Sequence, residues 1–284
     1  MAQILGGKKL NEKIAEELSV QVSKLDPKPK LVIIQVGDVP ESNAYIGRKI
    51  KFGEKIGAIV DLQKFPDDVS SEKLQTTIHK LNADPDVNGV IVQLPIPKHL
   101  DKDEVIDSID PKKDVDGLTS VNLKHLWEGR KDGFTPATTK GVITLLDHYN
   151  VPIERQNVVV VGRSSLVGKP TALAFLMRDA TVTICHKATK NLPAYTKAAD
   201  IIAVAVGKPN LIGKIHVSKN QTVIDIGINA VENEDAPRNK LVGDVNFEEV
   251  KDIVGAITPV PGGVGPMTVA SLFQNLLETY KRQV

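Results

Sequence analysis

VVVVGRSSLVGKPTA, residues 158–172, joins a β-rich apolar run to a turn and then to a helical segment. Four consecutive valines suit a strand buried on both faces. Gly162 lets the chain turn sharply at the strand end, and Gly168 lets the next helix approach the sheet closely. Strand, glycine turn and helix in this order open a dinucleotide-binding unit. The spacing is G-x-S-x-x-x-G, one residue longer than the usual G-x-G-x-x-G and without its middle glycine. Arg163 and Ser164 set a cation and a hydroxyl beside the amides and positive dipole end of the helix, which suit a phosphate. Taken alone, the same turn is equally an ordinary strand-to-helix connection.

The next strand adds to the reading. In a unit that prefers NAD, an acidic side chain at the end of the second strand takes the ribose hydroxyls. Here ATVTICHKAT ends in His186 and Lys187, with no acid in the turn. Lys187 together with Arg163 would receive a 2′-phosphate. The expected cofactor is therefore NADP, with NAD the less expected alternative. A solvated surface lysine is the plain reading of Lys187 by itself.

Working outward, the rhythm of strand and helix covers both halves. LVIIQV (31–36) is continuously apolar and reads as a buried strand, followed by a helix capped by Ser42 and ending near Gly57, with Ile46, Ile50 and Ile56 on its core side. A strand within residues 59–65, a helix with Leu74, Ile78 and Leu81 on one face, the strand GVIVQLP and a short helix opened by Asp101-x-x-Glu104 follow. After 157 the rhythm repeats through TVTICH, IIAVAVG, QTVIDIGIN, a helix capped by Asn246 and the strand AITPV. A last helix over 267–280 lies beyond that strand and could return to the first half. The expected fold is α/β: two α/β domains with a cleft between them, the second a Rossmann-like dinucleotide-binding domain. The expected domains are 1–120 plus 267–284 and 140–266, with 121–139 connecting them.

Composition bounds the function. Lys and Arg number 36 against 35 Asp and Glu, a formal charge of +1, so no global field favours nucleic acid or an acidic membrane. The 284 residues hold one cysteine, Cys185, which rules out an internal disulfide framework. No signal-peptide pattern or membrane-length apolar run occurs, and a cytoplasmic setting is expected. The six histidines are scattered, with no metal-ligand spacing, so no metal is expected.

Five polar residues complete the candidates. Tyr45 and Lys49 stand four apart on one helix face, Gln93 ends a strand, and Asp114 and Asp116 share the loop KKDVDGLTS. Singly, each has a plain structural explanation. Together, Y-x-x-x-K (45–49), VQLP (92–95), KDVDGLTS (113–120), VVGRSxxVGxP (160–170), VIDIGIN (223–229) and PVPGGVGPMT (259–268) resemble, in order and over essentially the whole chain, the bifunctional methylenetetrahydrofolate dehydrogenase/methenyltetrahydrofolate cyclohydrolase family.

The resemblance implies interconversion of 5,10-methylene-, 5,10-methenyl- and 10-formyltetrahydrofolate by a homodimer. It implies that Lys49 is central to hydrolysis, that Gln93 positions and tunes it, that Tyr45 stacks on the folate and that Asp116 hydrogen-bonds the pterin. Val92 and Leu94 flank Gln93 at the substrate, and Pro261, Gly262, Gly263, Val264 and Gly265 border folate and nicotinamide. Gly162, Arg163, Ser164, Lys187 and Ile228 would contact the dinucleotide. A dehydrogenase without hydrolase activity is the alternative, disfavoured because Lys49 and Gln93 are both present. One stretch departs from the family pattern: FTPATTKG (134–141) has Ala137 for cysteine and Thr139 for proline, from which only local packing changes are expected.

Overall fold

The structure is a computed structural model that describes residues 2–231 and 240–283. In chain order it runs β1 (Gln3–Ile4), α1 (Lys8–Ser23), β2 (Lys30–Val36), α2 (Pro40–Ile56), β3 (Ile59–Phe65), α3 (Ser71–Ala83), β4 (Gly89–Val92), α4 (Lys102–Asp107), α5 (Ser120–Trp127) and α6 (Ala137–His148). It continues β5 (Asn157–Val161), α7 (Gly168–Leu176), β6 (Thr181–Cys185), α8 (Leu192–Thr196), β7 (Ile201–Val204), β8 (Thr222–Asp225), β9 (Asn229–Val231), β10 (Lys240–Val242), α9 (Phe247–Val250), β11 (Ala256–Ile257) and α10 (Val264–Gln283).

Two compact units divide the chain, one of Glu12–Ala137 with Val269–Val284, the other of Met1–Asn11 with Thr138–Thr268. This differs from the expected division at the amino terminus and in the middle. Residues 1–11 belong with the later half because β1 pairs in parallel with β11, Gln3 opposite Ala256. Residues 121–137 belong to the first unit: Asn275 of α10 donates to the Thr135 carbonyl at 3.2 Å and Asn122 accepts from the Phe134 amide at 3.1 Å.

The Glu12–Ala137 unit is built on a parallel sheet in the order β3-β2-β4. β2 lies at the centre and is buried on both faces, as its unbroken apolar run requires. One face packs Leu74 and Ile78 of α3 and Val105 of α4 against Val32, Ile34 and Val90. In the same unit Phe273 of α10 meets Phe52 of α2 with ring centroids 5.1 Å apart. Gly53 permits that approach, since a Cβ there would lie 2.3 Å from Val60 and 3.2 Å from the Phe273 ring.

The helix α2 begins before Ser42. Pro40 occupies its first turn, where the missing N–H costs nothing, and Val39 stands at the cap position without a side-chain bond. Ser42 is therefore inside the helix, and its hydroxyl donates to the Leu94 carbonyl at 3.3 Å instead of capping. Ile46 and Ile56 are buried, Ile50 only half so. Ser70, Asp101 and Asn246 do cap α3, α4 and α9.

The other unit carries six parallel strands in the order β1-β11-β8-β7-β5-β6. Counted from β5, the order is second, first, third, fourth and fifth, so the direction of winding reverses between β5 and β7. Ligands of open α/β sheets bind beyond the carboxyl ends of strands at such a switch point. Cys185 ends β6 with its side chain buried, and burial pushes its thiol pKa up. Ala137 and Thr139 are both buried, and the Thr139 and Thr171 hydroxyls lie 3.3 Å apart. Among the described residues no helix is long and apolar enough to cross a membrane.

Candidate active site

In the three-stranded unit, α2 places Tyr45 and Lys49 one turn apart. Lys49 is buried, and its Nζ donates to Gln93 Oε1 at 2.8 Å. Gln93 directly follows β4, with Val92 buried before it and Leu94 half-buried after it. Its Nε2 donates to the Leu94 carbonyl at 2.8 Å, which leaves the amide oxygen turned to Lys49. The same carbonyl accepts from Ser42, so one backbone oxygen ties α2 to the end of β4. Burial pushes the Lys49 ammonium pKa down, while the charge of Asp116 pulls it up. Tyr45 is half-buried with the Arg48 guanidinium 5.4 Å from its ring centre, and burial raises its phenol pKa.

The loop after α4 separates its two acids by role. Asp114 is buried and saturated: Oδ1 accepts from the Gly117 amide at 2.8 Å, and Oδ2 from the Thr119 amide and hydroxyl at 2.8 Å and the Asn122 amide group at 2.9 Å. Asp116 makes no side-chain hydrogen bond among the described residues. Burial pushes its carboxyl pKa up, opposed by Lys49 and reinforced by Asp114. Gly117, at φ 69°, turns the chain so closely that a Cβ would lie 2.8 Å from the Phe134 carbonyl oxygen. Asp114 therefore shapes the loop, and Asp116 is the acid left with capacity to accept.

In the six-stranded unit, Gly162 follows β5 at φ 135°, and a Cβ there would lie 2.2 Å from the Ala205 oxygen. Ser164 Oγ accepts from the Val167 and Gly168 amides, both at 3.2 Å. These two helix-start donors are consequently spent within the chain, contrary to the expectation that the helix amides stand free. The serine keeps its own proton to donate. Arg163 and Lys187 are exposed, each two residues past the paired strand ends Val161 and Cys185, so they flank one another beyond adjacent strands. Ile228 is half-buried between β8 and β9.

Pro261 to Gly263 lie in the turn from β11 into α10, and Val264 and Gly265 begin that helix. The Gly262 carbonyl accepts from the Gly7 amide and the Gly263 amide donates to Pro259, both at 2.8 Å, so the glycines hold a defined turn. A Cβ on Gly265 would meet Ile228 Cδ1 at 3.4 Å, so the helix start lies against the Ile228 side chain. Among the described residues no group of three His, Cys, Asp or Glu could hold a metal ion.

The sequence reading missed two carboxylates. Asp225 and Asp244 are buried and bind loops beyond β7 and β8. An acid inside the apolar run VIDIG was the available signal, since a buried carboxylate must find donors.

Comparison with known proteins places these parts. Residues 5–116 match the family "Tetrahydrofolate dehydrogenase/cyclohydrolase, catalytic domain", and residues 136–284 match its "NAD(P)-binding domain". The bifunctional protein FolD of Acholeplasma laidlawii is 46% identical over 280 residues, 99% of either chain. A crystal structure of the FolD dehydrogenase/cyclohydrolase from Campylobacter jejuni aligns at TM-score 0.96 with 40% identity, covering 100% of both chains. The Trypanosoma brucei FolD, solved with NADP and an inhibitor, aligns at 0.95 with 34% identity, covering 99% of this chain and 98% of that one. With both of its halves matched and full-length relatives at such identity, this chain belongs to the tetrahydrofolate dehydrogenase/cyclohydrolase family.

Proposed function

We propose that the chain oxidises 5,10-methylenetetrahydrofolate to 5,10-methenyltetrahydrofolate with NADP and hydrolyses the product to 10-formyltetrahydrofolate. The observation that carries the second activity is the buried Lys49–Gln93 bond of 2.8 Å. Bound NADP supplies the hydride acceptor. For that step the chain's task is to orient the ligands and exclude water.

The hydrolytic step needs a base. Water adds its oxygen to the methenyl carbon, and the proton it loses passes to Lys49 Nζ. That transfer requires a neutral amine, which burial favours. Gln93 orients the amine through a neutral acceptor; a carboxylate there would fix the ammonium in its charged form. As the C–N bond breaks, the departing ring nitrogen takes the proton held on Nζ, while the hydroxyl left by the water loses its proton to solvent and becomes the formyl C=O, so one proton is released overall. Asp116, with its unspent oxygens, holds the polar edge of the pterin, and Tyr45 offers its ring face to the folate. Val92 and Leu94 frame Gln93.

The residues of the six-stranded unit fit NADP. Gly162 makes a turn that a Cβ, striking the Ala205 oxygen, would prevent; Ser164 has a hydroxyl proton to donate, and Arg163 and Lys187 supply charge for a 2′-phosphate. Ile228 and residues 261–265 contribute apolar side chain and open backbone beside flat rings. A homodimer is what the family resemblance implies, and a cytoplasmic setting is the expectation from the sequence pattern.

The deciding assay supplies 5,10-methylenetetrahydrofolate with NADP or NAD in parallel, reads cofactor reduction by absorbance and measures 10-formyltetrahydrofolate separately. Reduction preferring NADP together with the formyl product is expected. Reduction without hydrolysis would leave a dehydrogenase alone, and no reduction would overturn the reading.

A further inference from the structure

The buried pair Asp225 and Asp244 ties together the segments that follow β7, β8 and β10, the first of them at the switch point. Asp244 Oδ2 accepts from the amides of Val206 at 2.7 Å and Gly207 at 3.0 Å, and Oδ1 accepts from the Lys208 amide at 2.8 Å. Three successive N–H groups converging on one anion form a nest of the kind that otherwise holds a phosphate. Here the anion is internal. Asp244 Oδ1 also accepts from Asn229 Nδ2 at 3.0 Å, immediately after Ile228.

Asp225 completes the arrangement. Oδ1 accepts from the Gly227 and Asp244 amides, both at 3.0 Å, and Oδ2 from the Val245 amide at 2.9 Å. Residues on both sides of Ile228 are thus tied to this pair. Two glycines make room for it: a Cβ on Gly227 would lie 2.2 Å from Asp244 Cγ, and one on Gly243 would lie 1.8 Å from Asp225 Oδ2. The loop that Asp244 pins begins beside Ala205, whose oxygen crowds Gly162. A shift in residues 205–208 therefore reaches the turn assigned to the phosphates and, through Asp244 and Asn229, the neighbourhood of Ile228 at once.

The geometry points to Asp244, backed by Asp225, as a positioning residue of the cofactor site, fixing residues 205–208 and Ile228 in the arrangement that receives the dinucleotide. This rests on the NADP reading above. Neither carboxylate touches the cofactor on this assignment; both act through the backbone they hold. The role predicts a split between the two activities, because hydrolysis at Lys49 draws on none of the bonds that Asp244 makes.

The test is Asp244→Asn, which keeps the size but sets an NH2 group against amide donors that need an acceptor. NADP binding is measured directly by calorimetry, alongside hydrolysis of methenyltetrahydrofolate and the thermal transition. A Kd for NADP raised by at least about tenfold, with hydrolysis within about twofold, is expected. An unchanged Kd overturns the inference, as does an equal loss of both activities, which marks a merely structural role. Should this variant not fold, Asn229→Ala removes one donor from the same carboxylate: weaker NADP binding with intact hydrolysis supports the inference, and unchanged binding overturns it. Failure of the unaltered protein to bind NADP would instead overturn the functional reading beneath it.

Discussion

The two units use buried carboxylates in opposite ways. Around Lys49 in the three-stranded unit, the Asp116 carboxylate makes no hydrogen bond among the described residues, and burial drives both groups toward their neutral forms. In the six-stranded unit, Asp244 accepts four hydrogen bonds and Asp225 three. A group that must change protonation state is kept short of partners, because each added bond to the charged form would commit it to that form. A group that must hold loops is surrounded by donors and commits them all. Asp114 and Asp116 repeat the contrast within a single loop, two residues apart.

The largest effect should follow from removing the group that changes protonation. Lys49→Ala is expected to lower formation of 10-formyltetrahydrofolate by about 10²–10⁴-fold while folate binding largely survives. Rate measurements on folded variant, with folate binding measured in parallel, check this. Near-normal hydrolysis would erase the distinction between the two units. The pH profile adds a sign: burial lowers the Lys49 pKa against the pull of Asp116, so the neutral amine should appear at a lower pH than for an ordinary lysine.

The next concerns Asp225, whose carboxyl pKa burial pushes up to about 7 despite its three amide donors. An unfolded Asp titrates near ~3.9. Between these values the folded chain holds a proton that the unfolded chain has released, so this group's contribution to stability is present at low pH and is lost as pH rises through about 7. The span amounts to at most about 4 kcal/mol. Asp225→Asn cannot titrate, so the stability gap between wild type and variant should change by about 2–3 kcal/mol between pH 5 and 8, with wild type gaining at pH 5. Urea unfolding at several pH values measures it, and a gap independent of pH would show that Asp225 is ionised throughout.

Asp114 and Asp116 offer a paired test. Asp114→Ala strands the Gly117 and Thr119 amides and the Asn122 amide group, and should cost about 3 kcal/mol of stability. Asp116→Asn breaks no hydrogen bond among the described residues and should change stability by less than about 1 kcal/mol, while lowering turnover. Equal destabilisation by both changes would show that Asp116 is structural too.

The sequence was legible where local chemistry decides. The unbroken apolar runs of β2 and β5 declared buried strands, and Asp101 and Asn246 declared helix starts. Lys49 and Gln93, 44 residues apart, could be joined only through the family resemblance, since no spacing rule links a helix residue to a distant strand end. Ser42 misled because a serine before a helix and a serine in its first turn look alike in sequence, and Pro40 decided between them. The placement of residues 1–11 depended on a two-residue strand pairing with a partner some 250 residues away, which leaves no local mark. Asp225 and Asp244 were obscured for a related reason: their donors are backbone amides, which every residue carries.

The smallest effect belongs to the exposed cations, and it sharpens the comparison from the other side. Arg163 and Lys187 stand past the ends of adjacent strands and are exposed, so solvent screens them and neither is committed to an internal partner among the described residues. Their value to the protein lies wholly in the ligand. Replacing both with alanine should leave the thermal transition within about a degree or two, since surface changes away from packed features cost little. It should weaken NADP by about tenfold, the scale of one charge-assisted contact, while NAD binding changes by no more than about threefold. The discriminating quantity is the ratio of the two losses. A ratio near one would mean that these cations attract any dinucleotide through general charge, and reading of the 2′-phosphate would have to be sought elsewhere in the six-stranded unit.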